Sequence, residues 1–92
     1  MSKSRKIKKV RKVSLKHDEE YFFNLLRKNM KKYRAILDIT QEELAEMSGI
    51  SRGYITDIES ESRFKHPTLG YIGRIADALD IPISELFKED DE

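Results

Sequence analysis

The residues best suited to chemistry lie between Gln41 and Lys65. Ser51, Arg52, Tyr54, Thr56 and Asp57 place two hydroxyls, a guanidinium, a phenol and a carboxylate within two helical turns, with the Gln41 amide upstream and Arg63 and Lys65 downstream. These groups donate and accept hydrogen bonds, but they lack the partners that a reaction needs. The chain has no cysteine, and His17 and His66 stand apart without metal-ligand spacing. Surface or capping roles suit both histidines better than ligation or catalysis. No Gly-rich phosphate loop, nucleophile elbow or paired-carboxylate signature occurs. Glu42, Glu43 and Glu46 read as a solvated helix face. The expectation is recognition rather than catalysis: no enzyme activity, no metal, no cofactor and no small-molecule site.

The elements that position these residues are helical. Phe22, Leu25, Leu26, Met30, Tyr33 and Leu37 recur at helical spacing and predict a first helix over about 18–37. Asp18, Glu19 and Glu20 suit its N-terminus, and Lys28, Lys31, Lys32 and Arg34 its later turns. Asp38 stands where a left-handed residue would end it. Thr40 caps a second helix over about 41–47, and Glu43 completes a capping box. Ser51 caps a third over about 52–60. The polar stretch 61–67 is a loop ending at Pro67, followed by a fourth amphipathic helix over about 68–79. After the break at Asp80-Ile81-Pro82, residues 84–87 form a brief fifth helix. No strand pattern is present. Phe22, Tyr33 and Phe87 suit core or interface positions better than a ligand box.

Between the second and third helices, each position has a mechanical use. Leu44 faces inward, and the small Ala45 lets the third helix cross closely. Gly49 can take a positive φ and so permits a sharp turn. Ile50 plugs the corner, and Ile55 and Ile58 form the buried face of the third helix. That leaves Arg52, Gly53, Tyr54, Thr56, Asp57 and Ser60 exposed, a short polar face of the form that reads base edges in a major groove.

Charge is unevenly distributed. The net charge is +1, yet residues 1–16 hold eight basic and no acidic residues. The remaining 76 residues carry ten basic and seventeen acidic side chains, a net −7. Residues 1–16 are expected to be a disordered basic arm, 17–88 a folded domain and 89–92 a solvated acidic tail. The arm either reaches around a duplex or into its minor groove, or is a solvated tail. At 92 residues there is little room for an enclosed active site. No apolar run approaches membrane-spanning length and no signal peptide is visible, so the chain is expected to be soluble and cytoplasmic.

The sequence resembles the lambda-repressor/Cro-type helix-turn-helix family, also called the xenobiotic-response-element family, over about residues 22–87. The resemblance lies in Tyr33-Arg34, Thr40-Gln41-Glu42-Glu43-Leu44-Ala45, Gly49-Ile50-Ser51, Ile55, Ile58-Glu59, Pro67-Thr68-Leu69, Ile75-Ala76-Asp77-Ala78-Leu79 and Glu85-Leu86-Phe87. Within that family, Arg52-Gly53-Tyr54-Ile55 is similar to the small controller proteins of restriction–modification systems. The resemblance implies an all-α, five-helix domain that binds double-stranded DNA as a homodimer on a palindromic operator. It further implies Gln41 against the DNA backbone and within reach of a base, Ser51 and Arg52 at the groove entrance, and an Arg34–Glu59 ion pair.

Arg52, Gln41, Tyr54 and Thr56 are the candidate base contacts, and Ser51, Gly53, Arg63 and Lys65 the candidate backbone contacts. An arginine such as Arg52 can bridge guanine O6 and N7. Three features depart from the family pattern. Gly53 stands where the family often carries a base-reading side chain, and the loop after Glu59 lacks the family's common glycine. Asp57 either accepts from a cytosine amino group, faces solvent or meets a partner side chain. Ile81, Ile83 and Phe87 are the candidate dimer contacts, with a core role the alternative for all three. The second functional reading is an antitoxin or bridging-type module whose main partner is a protein, to which the net −7 gives weight.

Overall fold

Four of the five helices begin at a side-chain cap, and the caps account for the boundaries. The computed structural model describes residues 16–63 and 65–89. Its elements are α1 (Glu19–Leu37), α2 (Gln41–Ser48), α3 (Arg52–Glu59), α4 (Leu69–Ala78) and α5 (Ile83–Leu86), with no strand among the described residues. Asp18, Thr40, Ser51 and Thr68 accept from the backbone N–H groups of Tyr21, Glu43, Tyr54 and Tyr71, each three residues on. Each bond satisfies a donor that the helix start would otherwise leave unpaired. The Glu43 carboxylate also accepts from the Thr40 N–H at 2.9 Å, closing the capping box. Among the described residues the fold is all-α with five helices, as the residue pattern indicates. Asp18, Ser60, Thr68 and Leu79 prove to be flanking caps rather than helical residues, α2 runs one residue further, to Ser48, and α5 starts one residue earlier, at Ile83, and ends at Leu86.

Two non-glycine residues turn left-handed where helices end, Asp38 at φ 59 and Asp80 at φ 58. Asp tolerates this region better than most side chains. The core gathers Leu26 and Met30 from α1, Leu44 and Ala45 from α2, Ile55 and Ile58 from α3, and Ile72, Ile75 and Ala76 from α4. Leu86 adds the contribution of α5, and Ile50 and Leu79 seal the junctions between helices. α2 packs on α3 and α4, while α1 crosses α3 and α5.

The inward face of α1 differs from the one its apolar spacing suggests. Phe22 and Leu37 are 43% and 45% exposed, whereas Arg27 and Asn29 are buried. At 19 residues, α1 is about 28 Å long. The helices it crosses have eight and four residues, so α1 is longer than either. Buried Asn29 donates to the carbonyls of Leu86 and Lys88, both at 3.0 Å, and so ties the end of α5 to the middle of α1. The basic arm lies outside the described residues apart from Lys16, as does the acidic tail apart from Glu89. Glu89 is exposed and accepts a hydrogen bond from Tyr21, a tie to α1 that its assignment to a solvated tail did not include.

Candidate nucleic-acid interface

The turn that aims α3 follows from three adjacent residues. Gly49 ends α2 at φ 73, and its N–H and that of Ile50 both donate to the Ala45 carbonyl, at 2.9 and 3.2 Å. A side chain at position 49 would be strained by that φ. Ile50 is buried and anchors the corner, and Ser51 then caps α3. Ile55, Ile58 and Glu59 face inward from α3. Arg52 and Gly53 are exposed, and Tyr54, Thr56 and Asp57 are half-buried at the rim of the outer face.

A hydrogen-bonded network supports this face from the α1–α2 side. Arg34 reaches Glu59 through two parallel bonds, Nε to Oε2 at 2.9 Å and Nη2 to Oε1 at 2.7 Å. Its Nη1 donates to the Ile39 carbonyl. The hydrogen bond to Glu59, reinforced by that carboxylate's charge, raises the guanidinium pKa above its ordinary value although partial burial opposes this. Gln41 Nε2 donates to Glu59 Oε1 at 2.9 Å, and Thr56 Oγ1 donates to Gln41 Oε1 at 2.8 Å. The two ends of the Gln41 amide are thereby assigned, and α2 is fastened to α3. Arg52 joins Arg34, Thr40 and Gln41 around a shallow depression beside this network.

On the α4 side the supports are cations and aromatic rings. Asp57 Oδ1 meets Arg63 Nη1 at 3.1 Å, and Oδ2 meets Lys65 Nζ at 3.8 Å. Lys65 Nζ also lies 4.8 Å from the centre of the Tyr54 ring. Tyr54 packs edge-on against Tyr71 at 5.0 Å, and Arg74 covers Tyr71 at 5.3 Å. Arg74 returns to the turn by donating to the Gly49 carbonyl. Sequence reasoning missed Tyr71 and Arg74. Their three-residue spacing on α4 places both side chains on one helix face, but nothing in the sequence relates that face to Tyr54.

The structure gathers Gln41, Ser51, Arg52, Gly53, Tyr54, Thr56, Arg63 and Lys65 around α3 and its flanking segments. The candidate dimer residues lie elsewhere. Ile81 and Phe87 are half-buried against the core, and Ile83 is exposed with its Cδ1 over Gly73. His66 stacks on Phe23 at 4.3 Å and meets Glu19 at 3.0 Å, while His17 lies against Tyr21. No group of residues able to hold a metal occurs among the described residues. None of the described helices is long and apolar enough to cross a membrane.

Fold and site together define the class, a helix-turn-helix DNA-binding regulator. The helix-turn-helix family model matches residues 30–86, and the chain belongs to that family. Within it, the chain is 37% identical over 62 residues to the control protein C.SmaI of Serratia marcescens, spanning 67% of this chain and 71% of that one. The restriction–modification controller protein C.AhdI of Aeromonas hydrophila superposes with a TM-score of 0.65 at 31% identity, over 71% of this chain and 96% of that one. The N-terminal DNA-binding domain of SinR from Bacillus subtilis gives 0.65 at 25% identity, over 74% and 97%. The resemblance to controller proteins read from Arg52-Gly53-Tyr54-Ile55 thus extends over most of the folded region.

Proposed function

We propose that this protein is a transcriptional regulator of the restriction–modification controller type. It binds a palindromic operator as a homodimer, with α3 in the major groove. It acts in the cytoplasm, where the operator lies, and it is not an enzyme. The observation that carries this reading is the short polar outer face of α3, supported on one side by the Arg34–Glu59–Gln41–Thr56 network and flanked on the other by the cations Arg63 and Lys65. A major groove is about 12 Å wide and walled by phosphates. A recognition helix needs firm support beneath it and cations beside it.

In this reading Arg52, Gln41, Tyr54 and Thr56 face bases, and Ser51, Gly53, Arg63 and Lys65 face the backbone. Gln41 and Thr56 act as a bonded unit, which leaves one Nε2 proton of Gln41 and the lone pairs of Thr56 for DNA. Ile81, Ile83 and Phe87 lie at the dimer contact. Selection of bound duplexes from a random pool, followed by sequencing, tests the whole reading. A two-fold symmetric motif with half-sites about 34 Å apart is the expected result. No enriched motif at low salt, together with a protein partner in a pull-down, would favour the interaction-module reading.

A further inference from the structure

Resting on α3 as the groove-facing helix, we propose that Asp57 is an internal stand-in for a DNA phosphate. It occupies the charges of Arg63 and Lys65 until the backbone of a duplex takes them. Each carboxylate oxygen of Asp57 meets a different cation, Oδ1 with Arg63 at 3.1 Å and Oδ2 with Lys65 at 3.8 Å. A phosphate diester offers the same arrangement, two anionic oxygens pointing in different directions. The cations are not locked in, since Arg63 is 66% and Lys65 39% exposed. Ion pairs this exposed are weak, so exchanging the carboxylate for a phosphate costs little. Lys65 keeps its place over the Tyr54 ring whichever anion it faces.

The charge distribution gives the contact its effect. Arg52, Arg63 and Lys65 are solvent-accessible cations on or beside α3, and Arg74 lies over Tyr71 next to Tyr54, whereas the charge of Arg34 is committed to Glu59. One carboxylate cancels a substantial share of that supply. Attraction to DNA of any sequence arises almost entirely from phosphate neutralisation. Asp57 therefore restrains binding to every duplex. It is neither a base reader nor a support on which Arg63 and Lys65 depend.

The test uses the full chain, with binding followed by fluorescence anisotropy from 50 to 200 mM salt. The probes are a random-sequence duplex and the selected operator. Asp57→Asn should bind the random duplex several-fold more tightly at 50 mM. One extra phosphate-equivalent of salt slope should shrink that advantage by roughly three- to fourfold at 200 mM. The pair Arg63→Ala with Lys65→Ala should then cost more affinity in the Asp57→Asn background than in the wild type. Weaker binding by Asp57→Asn would make the carboxylate a support and overturn the proposal. Strictly additive effects would reduce it to a repelling bystander. A changed operator motif without a gain on random DNA would make it a base reader. If the wild type binds no duplex at 50 mM, the groove-facing reading of α3 fails first and takes the proposal with it. Asp57→Ser provides a second variant should Asp57→Asn melt early.

Discussion

The Glu59 carboxylate is almost sealed from water, 2% exposed, while the Arg34 guanidinium that forks onto it is 20% exposed. The pair is therefore asymmetric. Removing the arginine strands a buried charge, whereas removing the glutamate leaves a cation with partial access to solvent. Arg34→Ala should cost about 3–5 kcal/mol, more than Glu59→Gln, and the double variant should cost less than the sum. Urea unfolding of the four proteins measures this. Equal single losses that add without coupling would show that the fork contributes nothing as a pair.

The strap between α1 and the C-terminal segment should respond to alkali. Tyr33 Oη donates to Glu85 Oε1 at 2.6 Å, and Tyr21 donates to Glu89. In each case the hydrogen bond is the chief cause raising the phenol pKa, with desolvation and the carboxylate's charge adding to it. A pKa raised on folding contributes stability that is complete below the unfolded value, about 10, and is lost as pH climbs through the folded value. Stability from these two groups should thus stay level up to about pH 10 and then fall. Tyr33→Phe should lose part of that fall, read by urea midpoints across pH 8–12. Identical alkaline profiles for wild type and variant would remove the strap from the pH response.

Asn29 shows where sequence reading stops. The capping residues, the turn at Gly49 and the inward isoleucines of α3 were legible because each is a local requirement, met within four residues. Asn29 was not, because its partners lie across the fold. Asn29 bonds to carbonyls 57 and 59 residues away. A polar residue on α1 reads as solvent-facing unless the path of α5 is known. Phe22 errs in the opposite sense: its spacing fits the apolar face, yet it is 43% exposed and lies against His17 and Tyr21. At the site, the types and positions of the α3 residues were readable. The internal bonds that occupy Gln41 and Thr56 were not, whereas a side-chain partner for Asp57 was one of the alternatives its position left open.

Arg52 is exposed at the first turn of α3, and among the described residues it has no hydrogen bond or ion pair. Its loss should leave the fold intact. Arg52→Ala should melt within a few degrees of the wild type and discriminate less well at one base pair, by about 1–3 kcal/mol. Operator selection with both proteins measures this. The same motif recovered from each would show that Arg52 does not read a base.

Gly53 separates the demands of the fold from those of DNA. It lies inside α3, and a Cβ built there meets nothing within 4 Å. Glycine costs about 1 kcal/mol relative to alanine in a helix interior, an upper bound for the first turn where Gly53 lies. Nothing in the folded chain accounts for keeping it. Gly53→Ala should therefore raise the melting temperature, by roughly 4–8 °C for a domain of this size if the full 1 kcal/mol is recovered. If the duplex backbone approaches α3 closely at this position, the same methyl group should weaken operator binding. The opposed signs make the result informative, because a general loss of structure cannot produce higher stability with lower affinity. A variant that gained stability and bound as tightly as the wild type would place the DNA backbone away from Gly53, leaving Ser51, Arg63 and Lys65 as its contacts.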